Sequence, residues 1–220
     1  MSGTNMPRRG TAPEVRLERL TGHDVARGGY DKAILPIGAT EYHGPAFPYG
    51  TDTITAETLA ESFARELGGT LLLPSLAYGV SHHHLPWPWT MSLRPDTLAL
   101  VVRDIGESLL HHDLRRLLIV SAHDGNHAGQ SEMSMVLYAA PETARRDLAT
   151  HQPNQDMDHP VDLIGGFDGT VPLGYSGNAA AGSPHEGEAI TRALTDLVVP
   201  FLRDLDANGW KRGSWLSGIE

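Results

Sequence analysis

Short, nearly continuous apolar runs alternate along this chain with longer stretches in which apolar residues recur every three or four positions. The runs are Lys32–Ile37, Thr70–Leu73 and Arg115–Val120. Each is too short for an ordinary helix and too uniformly apolar for a strand with one wet face, so all three are predicted as buried strands. Between the first two, Ile54, Leu59, Phe63 and Leu67 carry helical spacing over Thr53–Leu67, and Gly68-Gly69 supplies the stop. Between the second and third, Leu98, Val101, Val102, Ile105 and Leu109 predict a helix that opens at Arg94-Pro95-Asp96 and runs to about His112. Strand, helix, strand, helix, strand, with apolar strands throughout, reads as a parallel sheet with right-handed crossovers.

Elsewhere the pattern is more broken. Thr21 caps a brief helix to about Ala26. A helix spans about Glu132–Ala139, followed by a helical piece over Pro141–Ala149. His151–Tyr175 is polar, Gly- and Pro-rich, and reads as an irregular surface excursion. A last amphipathic helix starts near Ser183-Pro184, with Ile190, Leu194, Leu197, Val198, Phe201 and Leu205 as its apolar stripe. Residues 1–14 lack the apolar core of a signal peptide and read as a disordered polar leader, leaving residues 15–220 as a single α/β domain.

Composition narrows the chemistry. Lys plus Arg is 17 against 27 Asp plus Glu, a net charge of −10. That argues against a nucleic-acid surface and against an anionic membrane surface. No apolar run reaches the length of a membrane span, and the expected location is the cytoplasm. There is no Cys, so a metal site must use His and carboxylates, and 12 His residues are available.

The richest stretch follows the first strand, Ile34 to Asp52. Gly38 breaks the apolar run, and Glu41 and His43 follow two apart, so in an extended segment both leave by one face. A carboxylate and an imidazole there suit Zn²⁺, Mn²⁺ or Fe²⁺. Gly44, Pro45, Pro48 and Gly50 force a turning loop that can swing Asp52 back beside them; the bland alternative makes Asp52 a helix N-cap. His123 follows the end of the third strand. In parallel sheets ligands gather at the carboxyl ends of the strands, so Glu41, His43 and His123 are expected on one rim. Tyr78–Thr90, dense in His, Pro and Trp, is expected to wall a pocket or to meet another subunit.

These motifs resemble the creatininase family of metal-dependent amide hydrolases over about Ile34 to Leu205. The resemblance rests on Gly38, Glu41, His43, Gly44, Thr51 and Asp52 after the first strand. It continues with His123, Gly125 and Asn126 after the third, with His127 to Ser134 ahead of a helix and Pro141-Glu142, and with Pro184 to Glu188 at the last helix. It implies a three-layer α/β/α fold with a mainly parallel central sheet, two divalent metal ions per subunit (Zn, Mn or Fe) and a homo-oligomer, hexameric in the family. It implies Glu41, His43, Asp52 and His123 as metal ligands with Asp52 as the bridge, Glu132 as a further ligand, and His127 as the group next to the reacting centre. Gly125 places the chain in the H-x-G-N branch. The family has a long segment between Asn126 and His127 that this chain lacks, so one loop has to present His123, His127 and Glu132 within nine residues. Loss of that segment is expected to expose a sheet edge. Candidate substrate-binding residues are Ser81, His84 and Trp89 of the His- and Trp-rich loop, and Asp124.

The expected function is hydrolysis of a non-peptide C–N bond, in a cyclic amide or formamide, by metal-activated water. A small-molecule amide is then the partner. The alternatives are a catalytically reduced metal-binding relative and a peptide-processing one.

Overall fold

The structure is a computed structural model, and it describes residues 14–123, 129–152 and 173–210. Three parallel strands form the sheet: β1 (Lys32–Ile37) in the centre, β2 (Thr70–Leu72) on one side and β3 (Leu117–Ser121) on the other. Ile34 of β1 faces one layer, made by α2 (Thr51–Leu67) and α5 (Pro184–Ala207), where it packs with Leu72, Ala60, Phe63 and Val199. Ala33, Leu35 and Ile37 face the other layer, where α3 (Pro95–His111) contributes Val102, Ile105 and Leu109. Strand alternation thus divides the core into two halves, and the α/β/α layering matches the sequence expectation.

The order β2-β1-β3 positions the site. From β1 the chain crosses through α2 to one side. It then crosses back through α3, past β1, to the other side. The reversal leaves a crevice between the carboxyl ends of β1 and β3, the topological switch point where ligands bind in open α/β sheets.

Boundaries differ by small amounts with clear causes. α2 begins at Thr51, two residues earlier than its apolar pattern, because Thr51 N–H bonds back to the Pro48 carbonyl and starts the first turn. The brief first helix, α1 (Gly22–Arg27), opens on a capping box between Thr21 and Asp24. Pro141–Ala149 is two 3₁₀ turns, Pro141–Thr143 and Arg146–Leu148. Arg145 N–H bonds the Ala46 carbonyl, and that contact draws the backbone out of helical geometry. Strand β3 is less buried than expected, with Ile119 45% exposed. The excursion after His151 ends inside the protein: Tyr175 is fully buried against Phe47. Residues 153–172, like residues 1–13 of the leader, lie outside the described residues.

The larger correction concerns α5. Its buried positions are Gly187, Thr191, Thr195, Val199 and Leu202, whereas Leu197 is 70% exposed and Phe201 46%. Leu194 and Val198 of the expected stripe still pack against the core, so the helix is turned only partly from that stripe. Gly187 sits directly against the Ser134 carbonyl of α4 (Gly129–Ala139), which fixes the contacting face. No helix among the described residues is long and apolar enough to cross a membrane.

Candidate metal centre

The site is assembled where β1, β3 and α2 meet. Gly38 follows β1 and lies against the backbone of Thr53; a Cβ at residue 38 would overlap it. That close approach brings the first turn of α2 onto the end of β1. The loop between them is closed by Glu41 N–H donating to the Tyr49 carbonyl at 3.1 Å. Asp52 therefore returns beside Glu41 and His43. It is no N-cap: Gly50 holds that position, and Asp52 occupies the first turn with its carboxylate turned inward. The partial positive charge of the helix N-terminus favours an anion there.

His123, two residues past β3, completes the group. Its Nδ1 lies 3.2 Å from Glu41 Oε1 and 3.1 Å from Asp52 Oδ2. His43 Nε2 lies 3.0 Å from the other Asp52 oxygen, Oδ1, and 4.0 Å from Glu41 Oε1. The two oxygens of Asp52 thus face two different imidazoles. Glu132, in the first turn of α4, joins from the far side. One ligand atom each from His43, Asp52 and Glu132 lies within 4.8 Å of the others, as do those of Glu41, Asp52 and His123. Asp52 belongs to both groups.

The distal nitrogen of each imidazole is held by a backbone carbonyl. His43 Nδ1 lies 3.1 Å from the Glu41 carbonyl, and His123 Nε2 lies 2.9 Å from that of Val80. A carbonyl only accepts, so each distal nitrogen carries the proton and donates it. In the neutral ring this leaves His43 Nε2 and His123 Nδ1 with a lone pair directed at the carboxylates, the arrangement that orients metal-ligating histidines.

The electrostatics point the same way. Glu41 and His43 are buried, and Asp52 nearly so. Burial alone would depress the His43 imidazole. The hydrogen bond and charge of Asp52, with Glu132 and Glu41 behind it, raise it instead to about 9. Burial likewise pulls His123 down, and its hydrogen bonds to Asp52 and Glu41 raise it to about 11. Burial disfavours the charged form of Asp52, yet the bonds from His123 and His43 hold its carboxyl below the usual carboxylate range. Three carboxylates gathered in a buried crevice require compensating positive charge. Without a metal, protonated imidazoles supply it. The nitrogen and oxygen donors, and their division into two groups sharing a carboxylate, fit a pair of first-row divalent cations.

Around this floor runs the His- and Trp-rich loop. The His83 ring stacks on His123 with centroids 6.2 Å apart and planes within 5°. Ser81 and His84 are buried, so they back the rim. Trp87 lies on Tyr42 at 5.8 Å and 20°, and its ring is 5.2 Å from His84. Trp89 is 79% exposed, at φ 62°. The loop is tied to the floor by Tyr42 N–H to Thr90 Oγ1 and by Tyr49 Oη–H to the Pro88 carbonyl. Asp124 and His127 lie outside the described residues.

Sequence reasoning gathered Glu41, His43, Asp52, His123 and Glu132, and the structure brings all five together. It missed Tyr42 and the His83 stack. Tyr42 had a signal: it stands between two residues of one face, so alternation sends its ring to the opposite side, toward the loop.

The family model for creatininase, described as creatinine amidohydrolase, matches residues 18–127 and 124–202 of this chain. A mycofactocin precursor peptide peptidase from Mycobacterium ulcerans (strain Agy99) is 27% identical over 207 residues, covering 76% of this chain and 82% of the relative. A creatinine amidohydrolase from Pseudomonas putida is 30% identical over 120 residues, covering 52% of this chain and 43% of that protein. Among solved structures, one titled "Creatininase Mn" superposes with a TM-score of 0.74 at 22% identity, covering 87% of this chain and 98% of the other.

Proposed function

We propose, from the premise that this chain belongs to the creatininase family, that it is a metal-dependent hydrolase that cuts a C–N bond in a peptide. The observation that carries the hydrolytic part is the position of Asp52 between two ligand groups, one oxygen toward His43 and the other toward His123. In this reading Glu41 and His123 would hold one divalent ion, and His43 and Glu132 a second, with Asp52 available to both. Such a pair, when bound, acidifies water and polarises the carbonyl to be attacked. The chain's own groups do the rest. The carbonyls of Glu41 and Val80 keep both rings in the ligating tautomer. Burial excludes bulk water from the floor. Water adds its oxygen to the carbonyl carbon as the C–N bond breaks, and the leaving nitrogen takes a proton. His127, four residues past His123, is the proposed donor of that proton.

The choice of a peptide rests on two further points. The likeness to the precursor peptide peptidase extends over 82% of that relative, against 43% for the creatinine amidohydrolase. The loops bordering the site also expose apolar side chains: Tyr78 and Leu85 at 49%, Met91 at 45% and Trp89 at 79%. Apolar side chains at the border of the site suit a substrate whose chain extends beyond the reacting bond.

The test is a panel of linear peptides, cyclic amides and formamides, assayed with Zn²⁺ or Mn²⁺ restored and again with chelator. Chelator-sensitive cleavage of peptides is expected. Turnover of cyclic amides alone would return the small-molecule reading. Two bound ions without turnover of any substrate would make the chain a metal-binding relative that has lost catalysis.

A further inference from the structure

Glu132 is the one ligand delivered by α4, and its placement depends on how that helix is turned about its axis. Gln130 and Ser134, four residues apart, share one face of α4; Glu132, midway between them, projects from another. The face with Gln130 and Ser134 is gripped by the first turn of α5. Glu186 accepts from Gln130 Nε2 at 3.1 Å on both oxygens and from Ser134 Oγ at 2.7 Å. Ser134 Oγ in turn accepts from the backbone N–H of Ser183 at 3.0 Å, and Ser183 caps α5 by accepting from Glu186 N–H at 3.2 Å. Gly187 allows the two helix starts to meet without a side chain between them.

This polar knot is more than packing requires. Ser183 alone caps α5, and Gln130 is exposed, so its bonds to Glu186 are not needed to fill space. A carboxylate that bonds two residues of one helix face strengthens the hold on that face and so on the helix's rotational setting. We infer that Glu186 is a positioning residue for Glu132, fixing the phase of α4 so that the His43–Asp52–Glu132 group forms. The inference rests on the two-metal reading. It is specific to one group, because Glu41 and His123 follow β1 and β3 and Asp52 lies on α2, and none of the knot's hydrogen bonds reaches these residues.

The test is calorimetric titration of Mn²⁺ or Zn²⁺ into chelator-stripped full-length protein, with thermal unfolding measured beside it, for wild type, Glu186→Ala and Glu186→Gln. Wild type is expected to bind two ions. Glu186→Ala should weaken one of them about 10- to 100-fold, the usual effect of losing an outer-shell partner, and leave the other within about threefold. Glu186→Gln keeps an acceptor for Ser134 and should recover most of the loss. Ser134→Ala, which releases the same anchor from α4, should weaken the same ion and serves if Glu186→Ala fails to fold. Two ions bound by Glu186→Ala as tightly as by wild type would overturn the inference. So would equal weakening of both ions alongside a lowered melting temperature, which would mark a merely structural role. A wild type that binds fewer than two ions overturns the two-metal reading, and this inference with it.

Discussion

The floor of the site and its rim are built to opposite specifications. Glu41, His43 and Asp52 are almost wholly buried. Their positions follow from a strand end, a glycine packed on a helix start and a closed loop, and each imidazole is held by a backbone carbonyl. The rim is made of loop, and Tyr78, Leu85, Trp89 and Met91 expose between 45% and 79% of their surface. Trp89 even adopts a left-handed backbone, uncommon for a bulky residue. The contrast separates two tasks. The floor fixes what chemistry is possible, and the rim decides which molecule reaches it. Changes to the floor should act on all substrates alike, and changes to the rim should sort them.

The largest expected effect comes from the floor. Asp52→Asn removes a charged ligand common to both groups, so bound metal should fall from two ions to one or none, and turnover to background on every substrate. Elemental analysis with a rate assay reads both. The loss should exceed the about 10- to 100-fold typical of an outer-shell change. A substrate-selective loss would break the separation of floor from rim.

Beneath the floor, Ile34→Ala leaves a hole where β1 meets α2 and α5. It should cost about 2–5 kcal/mol in urea unfolding, while the folded fraction still binds metal.

The pH dependence of the metal-free protein is a gentler probe of the same floor. His43 is raised in the folded state from 6.5 to about 9. A group raised on folding contributes stability that is complete below its unfolded value and is lost as pH climbs through its folded one. His123, raised to about 11, adds to this, so stability of the stripped protein should decline from about pH 6.5 to about pH 11, as His43 and then His123 lose their protons. With metal bound the imidazoles are already deprotonated, and the decline should vanish. Binding should release protons below about pH 11, more as pH falls and His43 is protonated as well as His123. Unfolding midpoints of both forms across that range check the sign.

The smallest effects belong to the rim. Trp87→Ala removes the ring stacked on Tyr42, an aromatic contact worth about 0.5–1.5 kcal/mol. Loosening the loop by that amount should raise KM for a peptide by no more than about tenfold, with kcat nearly unchanged and metal content intact. Equal loss on peptides and on small amides would show that the rim does not sort substrates.

The legibility of this molecule in its sequence follows the same division. Strands β1 and β2 and helices α2 and α3 announce themselves because each obeys one local period. Glu41, His43 and Asp52 were legible because a strand end and one short loop bring them together. Glu132 was harder to place from residue spacing: the geometry of its approach depends on α4 meeting α5. The face of α5 was legible only in part: Leu194 and Val198 pack on the core as expected, but Leu197 and Phe201 do not. Thr191 and Thr195 donate their hydroxyls to carbonyls of their own helix, at Gly187 and Thr191. A hydroxyl satisfied in this way can be buried. Polar residues therefore occupy the packed face while Leu197 stands outside, and no apolar period reports it. The exposure of Ile119 follows from the place of β3 at one side of the described sheet.

X-ray absorption at the metal edge of Mn²⁺- or Zn²⁺-loaded protein bears most directly on Asp52 as the shared ligand. A first shell of nitrogen and oxygen only, with a metal–metal vector of about 3.5–4 Å, is expected for two ions bridged in one site. Protein carrying two ions with no such vector, or saturating at a single ion, would contradict it.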